Sequence, residues 1–132
     1  MRKNVTDLQP WECLMKKIVW KQLGDIRGKR ILDFGSGIGV TANYLAEYND
    51  VTAIEPDEES VKERWTDNSY TQIVGSTGEL HQFADETFDV VLNMGPFYHL
   101  IDEAQRQKCL AESIRVLKKG GLLLTAYIPR FY

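Results

Sequence analysis

Cysteine and histidine are scarce in this chain, two of each in 132 residues. Cys13 and Cys109 lie far apart, with no Cys-x-x-Cys and no histidine cluster near either. A disulfide framework and a metal site are therefore unsupported, and a reducing, cytoplasmic setting is the default. No apolar run approaches the roughly 20 residues that span a bilayer. The N-terminus also lacks the apolar core of a signal peptide. Positive charge is in short supply: 16 Lys and Arg face 19 Asp and Glu, for a net charge of −3. The basic residues come as scattered pairs, Lys16-Lys17, Lys29-Arg30 and Lys118-Lys119. Such pairs make no phosphate-tracking stripe, so neither nucleic acid nor a membrane is an expected partner. No repeat or low-complexity tract interrupts a composition that is 43% hydrophobic, which fits one domain with its own core.

What the chain has instead is alternation. Pro10 suits the first turn of a helix, and Trp11, Leu14, Met15, Ile18, Val19 and Leu23 then recur at helical steps up to Gly24. Residues 1–28 are expected as an N-terminal amphipathic helix packed on a core formed by 29–132. A short apolar run at Ile31 and Leu32 is followed by a helical stretch over 41–48. A strand over 50–55, a helix over 57–65 and a strand over 71–74 come next. The apolar run 88–93 reads as a strand buried on both faces. Asp102 caps a helix that runs to about 117, Gly120 and Gly121 make a turn, and 122–128 is a fifth strand. Strands alternating with helices mean an α/β fold with a parallel sheet and right-handed crossovers.

The chemistry gathers where the first strand meets its helix, at Asp33-Phe34-Gly35-Ser36-Gly37-Ile38-Gly39. Strand, glycine turn and helix together present main-chain N–H groups and a helix N-terminus to a ligand. A dinucleotide fingerprint, Gly-x-Gly-x-x-Gly, would need glycine at position 40, which is Val. The second strand again ends in an acid, Glu55. An ionised carboxylate there can accept from two vicinal ribose hydroxyls, so Glu55 supports a nucleoside ligand without choosing among nucleosides.

The pattern Asp-x-Gly-x-Gly-x-Gly resembles motif I of the class I S-adenosylmethionine-dependent methyltransferases. The resemblance extends over 28–128 and takes in the fourth strand, the segment 94–100 and the Lys118-Lys119-Gly120-Gly121 turn. It implies a three-layer Rossmann-like fold and a methyl transfer from S-adenosylmethionine to a small-molecule acceptor, leaving S-adenosylhomocysteine. By position, Asp33, Gly35, Ser36, Gly37 and Gly39 hold the methionine end of the cofactor. Glu55 holds the ribose, with Pro56 and Asp57 beside the adenine. Ser76 and Thr77 lie in the adenine-side loop, where Ser76 stands in place of the family's usual acid and Glu79 is an alternative contact. Asn93, at the fourth strand's end, contacts cofactor or substrate. Tyr98 and His99 are the catalytic candidates, His99 as general base or, alternatively, as packing for the cofactor. Trp11 and its neighbours would roof the cofactor, as N-terminal helices do in that family. Two other readings stay open: a cofactor-binding module without chemistry, and a nicotinamide oxidoreductase, which Val40 disfavours.

The resembled fold has seven strands, so the chain is expected to be C-terminally truncated, lacking the last two. Strand five then forms an open edge. Within 122–128 it carries no lysine, proline or bulge to blunt it, and a homodimer through this edge is expected.

Overall fold

In a computed structural model, the structure describes residues 4–75, 80–93 and 102–125. Helix α1 (Pro10–Leu23) precedes β1 (Arg30–Phe34), α2 (Val40–Leu45), β2 (Asp50–Glu55) and α3 (Glu58–Lys62). Strands β3 (Thr71–Val74) and β4 (Phe88–Asn93), helix α4 (Glu103–Val116) and strand β5 (Leu117–Thr125) follow. The strands form one parallel sheet in the order β3-β2-β1-β4-β5. Chain order reverses between β1 and β4, which opens a crevice at the carboxyl end of β1.

Successive residues of β1 feed opposite faces of the sheet. Ile31 packs with Val19, Leu23, Ala42 and Leu45 beneath α1 and α2. Leu32 and Phe34 pack with Val91, Cys109 and Val116 beneath α4. Burial on both faces is what makes β1, β2 and β4 read as apolar runs. Helix ends follow local chemistry. Gly24, at φ +67°, ends α1 with its N–H donating to the Trp20 carbonyl at 3.0 Å. The Asp102 side chain caps α4 by accepting from the Ala104 N–H at 2.9 Å. Among the described residues no helix is long and apolar enough to cross a membrane.

Three elements depart from the sequence expectation. Helix α2 stops at Leu45 because the Asn49 amide donates to the Leu45 carbonyl at 2.9 Å and turns the chain toward β2. Helix α3 is confined to Glu58–Lys62, and the Trp65 N–H instead reaches the Ile38 carbonyl at 2.8 Å. Strand β5 begins at Leu117, five residues earlier than expected, so Gly120 and Gly121 lie inside it. Phe88 pairs with Leu117 but Val90 with Leu122, leaving four residues opposite Asp89 as a wide bulge. Gly120 takes φ +77° there, and a Cβ on Gly121 would lie 2.8 Å from the Asp89 carbonyl oxygen. The edge strand therefore does carry a bulge and two lysines, Lys118 and Lys119, in its first half.

Candidate functional site

The loop between β1 and α2 is sewn to the end of β2. Gly35 and Ser36 both donate their N–H groups to the Ile54 carbonyl, at 2.8 and 3.0 Å. The Gly37 N–H donates to Glu55 Oε1 at 2.8 Å, and the other carboxylate oxygen accepts from the Asp57 N–H at 2.9 Å. Gly39 donates to the Ser36 carbonyl at 2.9 Å and caps α2 at φ +77°. The expectation that these main-chain N–H groups point at a ligand is corrected by this pattern. They are spent inside the fold, and Glu55 acts first as the clasp of the loop. Two of its roughly four lone-pair positions are engaged, which leaves acceptor capacity at the rim.

What the loop shows to solvent is surface without Cβ. Gly35, Ser36 and Gly37 form the floor of a cleft of about 300 Å³, closed on the other side by α1. A Cβ on Gly37, which sits at φ +57°, would meet nothing within 4 Å. Gly39 differs: its Cβ would strike the Tyr70 hydroxyl, so this glycine serves the packing of the fold and does not line the cleft.

Helix α1 supplies Trp11, Glu12, Met15, Lys16 and Val19 to the cleft wall. The inward stripe is therefore 12-15-16-19-23 with Trp11 at its margin, and Leu14 and Ile18 face out at 60% and 48% exposure. An apolar-only reading of the helix misses this stripe because two of its members are charged. The helix is held to the body by Val19 and Leu23, the buried pair, and by Trp20. Trp20 stacks on Tyr44 at 3.8 Å, and its indole N–H donates to Thr41 Oγ1 at 3.4 Å.

Two buried polar groups line the cleft. Asp33 is buried, and that burial pushes its carboxyl up to about 6, against the Lys16 charge and the Ala42 N–H, which favour ionisation. Ser36 is 5% exposed, and among the described residues its Oγ has no hydrogen-bond partner. A buried hydroxyl without a partner costs about 1–3 kcal/mol, an amount a bound polar ligand can recover.

A family model for the methyltransferase domain matches residues 32–125, from the middle of β1 to the end of β5. The chain belongs to this family. The ubiquinone biosynthesis O-methyltransferase of Methylocella silvestris is 33% identical to it over 110 residues, 80% of this chain and 42% of that one. The chain thus spans less than half the length of this curated relative. Among solved structures, Haemonchus contortus phosphoethanolamine N-methyltransferase 1, in complex with phosphoethanolamine and S-adenosylhomocysteine, aligns at a TM-score of 0.68 and 20% identity. That alignment covers 78% of this chain and 23% of the other. The [4+2]-cyclase SpnF aligns at a TM-score of 0.73 and 20% identity over 93% of this chain and 47% of its own.

In this methyltransferase domain the expected site residues separate into groups. Asp33, Gly35, Ser36 and Gly37 come together on the cleft floor, with Glu55 behind Gly37 and exposed Pro56 beside it. Asn93, expected to contact cofactor or substrate, is turned away from the cleft. Its side chain is fully buried against α4, where its amide donates to Ser113 Oγ at 3.3 Å. Ser76, Thr77, Glu79, Tyr98 and His99 lie outside the described residues.

Proposed function

We propose that this methyltransferase domain binds S-adenosylmethionine in the cleft between α1 and the glycine loop, for methyl transfer to a small-molecule acceptor. The observation that carries the reading is the pairing of an ionisable, buried Asp33 with the unpartnered Ser36 hydroxyl beside the open face of Gly37. These groups fit a ligand end that carries both a cation and hydrogen-bonding oxygens. Gly37 leaves room where any side chain would intrude. The Glu55 carboxylate, already anchored by two N–H groups, has lone pairs for vicinal ribose hydroxyls, with Pro56 and Asp57 toward the base. A bound sulfonium cofactor supplies an electrophilic methyl group. The chain's own residues contribute orientation, since Asp33, Ser36 and the clasped loop are held before the ligand arrives. From the sequence resemblance, Ser76 and Thr77 flank the adenine, and Tyr98 and His99 face the acceptor, His99 as general base where the acceptor needs one. An O-methyltransferase relative and an N-methyltransferase neighbour point to a shared cofactor, not to a shared acceptor.

Isothermal titration with S-adenosylhomocysteine is the test, with NAD as the control. Binding of the first and not the second is expected, and no heat with S-adenosylhomocysteine overturns the reading. The SpnF likeness favours one second reading, since a cyclase shows this fold outside methyl transfer. Cofactor binding without methyl transfer to any of a panel of hydroxyl, amine and thiol acceptors would select that reading. We place the domain in the reducing cytoplasm on the strength of its two unpaired thiols, Cys13 and Cys109. A homodimer would form along the flat half of β5, residues 122–125, where Leu122 is 40% exposed. Light scattering across a concentration series tests it, and a monomer throughout overturns it.

A further inference from the structure

The connection from α3 to β3, residues 63–70, has no helix or strand of its own, yet it is densely bonded at one place. It closes on residues 38–43, the exit of the glycine loop and the first turn of α2. Trp65 donates its N–H to the Ile38 carbonyl at 2.8 Å. Buried Asn43 uses both ends of its amide: Nδ2 donates to Asp67 at 3.1 Å, and Oδ1 accepts from the Asn68 N–H at 2.9 Å. The Asn68 amide donates in turn to the Asn43 carbonyl at 2.8 Å. Tyr70 completes the bracket. Its hydroxyl donates to the Trp65 carbonyl at 2.7 Å and lies directly behind Gly39, where a Cβ would strike it. Burial raises this phenol, so it stands as a neutral donor, with the Arg64 guanidinium beside it. The far end of the same stretch begins at Asp57, whose N–H holds Glu55, and Glu55 holds the Gly37 N–H. Gly37 is thus gripped on two sides, through its own N–H by Glu55 and through the next carbonyl by Trp65. Satisfied polar contacts of this kind add little net stability, but they fix orientation.

We infer that Tyr70 is a positioning residue for the cofactor floor, its hydroxyl holding Trp65 against Ile38 and setting Gly39 from behind. The turn at Gly37 then keeps its open face toward the cleft before any ligand arrives. Tyr70 does not line the cleft, so it acts only through the loop. This rests on the cofactor reading above and extends it, because affinity at the floor comes to depend on the connection between α3 and β3. The Tyr70 ring packs against the core beneath α1 and α2. Tyr70→Phe keeps that packing and removes the hydroxyl alone.

Titration calorimetry with S-adenosylhomocysteine on the 132-residue chain and its Tyr70→Phe variant tests the inference. Affinity falls by roughly tenfold in the variant. While the native state predominates, lost stability alone leaves the dissociation constant unchanged, so this fall reports the shape of the floor. Amide hydrogen exchange locates the change: protection drops over residues 35–43 and is kept in β4. Gly39→Ala supplies a second arm. It costs less affinity in the Tyr70→Phe background than in the parent, because the added methyl enters space the hydroxyl has left. Unchanged affinity in Tyr70→Phe overturns the inference. So does a loss of protection spread evenly over the sheet, or an equal cost of Gly39→Ala in both backgrounds. Each of these leaves the cofactor reading standing. Absence of S-adenosylhomocysteine binding to the parent chain overturns the cofactor reading and the inference with it.

Discussion

The two walls of the cleft are built differently. The glycine-loop floor is half-buried and bound to β2 through N–H groups of Gly35, Ser36 and Gly37, with its far side packed under Tyr70. The α1 roof is fastened at one end. Val19, Trp20 and Leu23 dock, whereas Trp11 and Met15 remain 67% and 41% exposed over the opening. On the proposed reading, a fixed floor would lower the ordering cost of binding, and a lightly packed roof would admit the ligand and gain burial from it. Rigidity and adaptability thus sit on opposite sides of one cleft.

The largest effect is expected where the floor meets the fold. Gly39→Val puts a branched side chain into left-handed backbone and against the Tyr70 hydroxyl, which itself donates to the Trp65 carbonyl at 2.7 Å. Strain and overpacking together should cost roughly 3–5 kcal/mol in urea unfolding. Gly37→Ala meets open space, so it should lose about 1–2 kcal/mol of stability from backbone strain and nearly all S-adenosylhomocysteine binding. Equal instability in the two variants would erase the distinction between packing and ligand-facing glycines.

Asp33→Asn comes next, and its sign is opposite. The folded carboxyl is raised from 3.8 to about 6, so the native state holds this proton more tightly than the unfolded chain. The ionised form therefore costs stability, fully above pH 6 and not at all below about pH 4. The amide of the variant has no charge to desolvate. The variant should be more stable than the parent by on the order of 2–3 kcal/mol at pH 7 and equal to it near pH 4, while binding S-adenosylhomocysteine more weakly. A gap that does not change with pH would show that Asp33 is not the titrating group.

Glu55→Ala frees the Gly37 and Asp57 N–H groups and should lower stability by roughly 1–2 kcal/mol, with a comparable loss of affinity. Intact affinity alongside lowered stability would leave Glu55 as a clasp alone. The smallest effect on folding belongs to the roof. Trp11→Ala should stay within about 0.5 kcal/mol of the parent in denaturation, because the side chain is already exposed, yet weaken S-adenosylhomocysteine binding. A Trp11 variant with unchanged binding removes α1 from the site.

Much of this can be read from the chain itself. Strands β2, β3 and β4 have the bounds expected of them, β4 because a strand buried on both faces leaves an apolar run and β2 and β3 because a short β-branched stretch is bounded by polar or turn residues. That Asp33, Gly35 and Gly37 share one strand-to-helix junction is legible from their spacing, because that junction is local in sequence. What escapes is set by tertiary partners. The N–H groups of the loop depend on Ile54 and Glu55, and the orientation of Asn93 depends on Ser113, twenty residues away. Lys16 is legible only as half of a basic pair, since periodicity is scored on apolar residues. The β5 bulge depends on Asp89 across the sheet, and two glycines in sequence mark a turn just as well.

The clasp of the glycine loop also bears on how the chain folds. Gly37 and Glu55 are separated by 18 residues, whereas the bond from the Arg30 N–H to Asp89 Oδ2, beside the β1–β4 seam, spans 59. Closing the longer loop costs about 1 kcal/mol more in chain entropy. The β1-α2-β2 segment can therefore nucleate first, and β4 and β5 add to an edge that already exists. On a chain growing from its N-terminus, the floor of the cleft takes shape while the far half of the sheet is still being made.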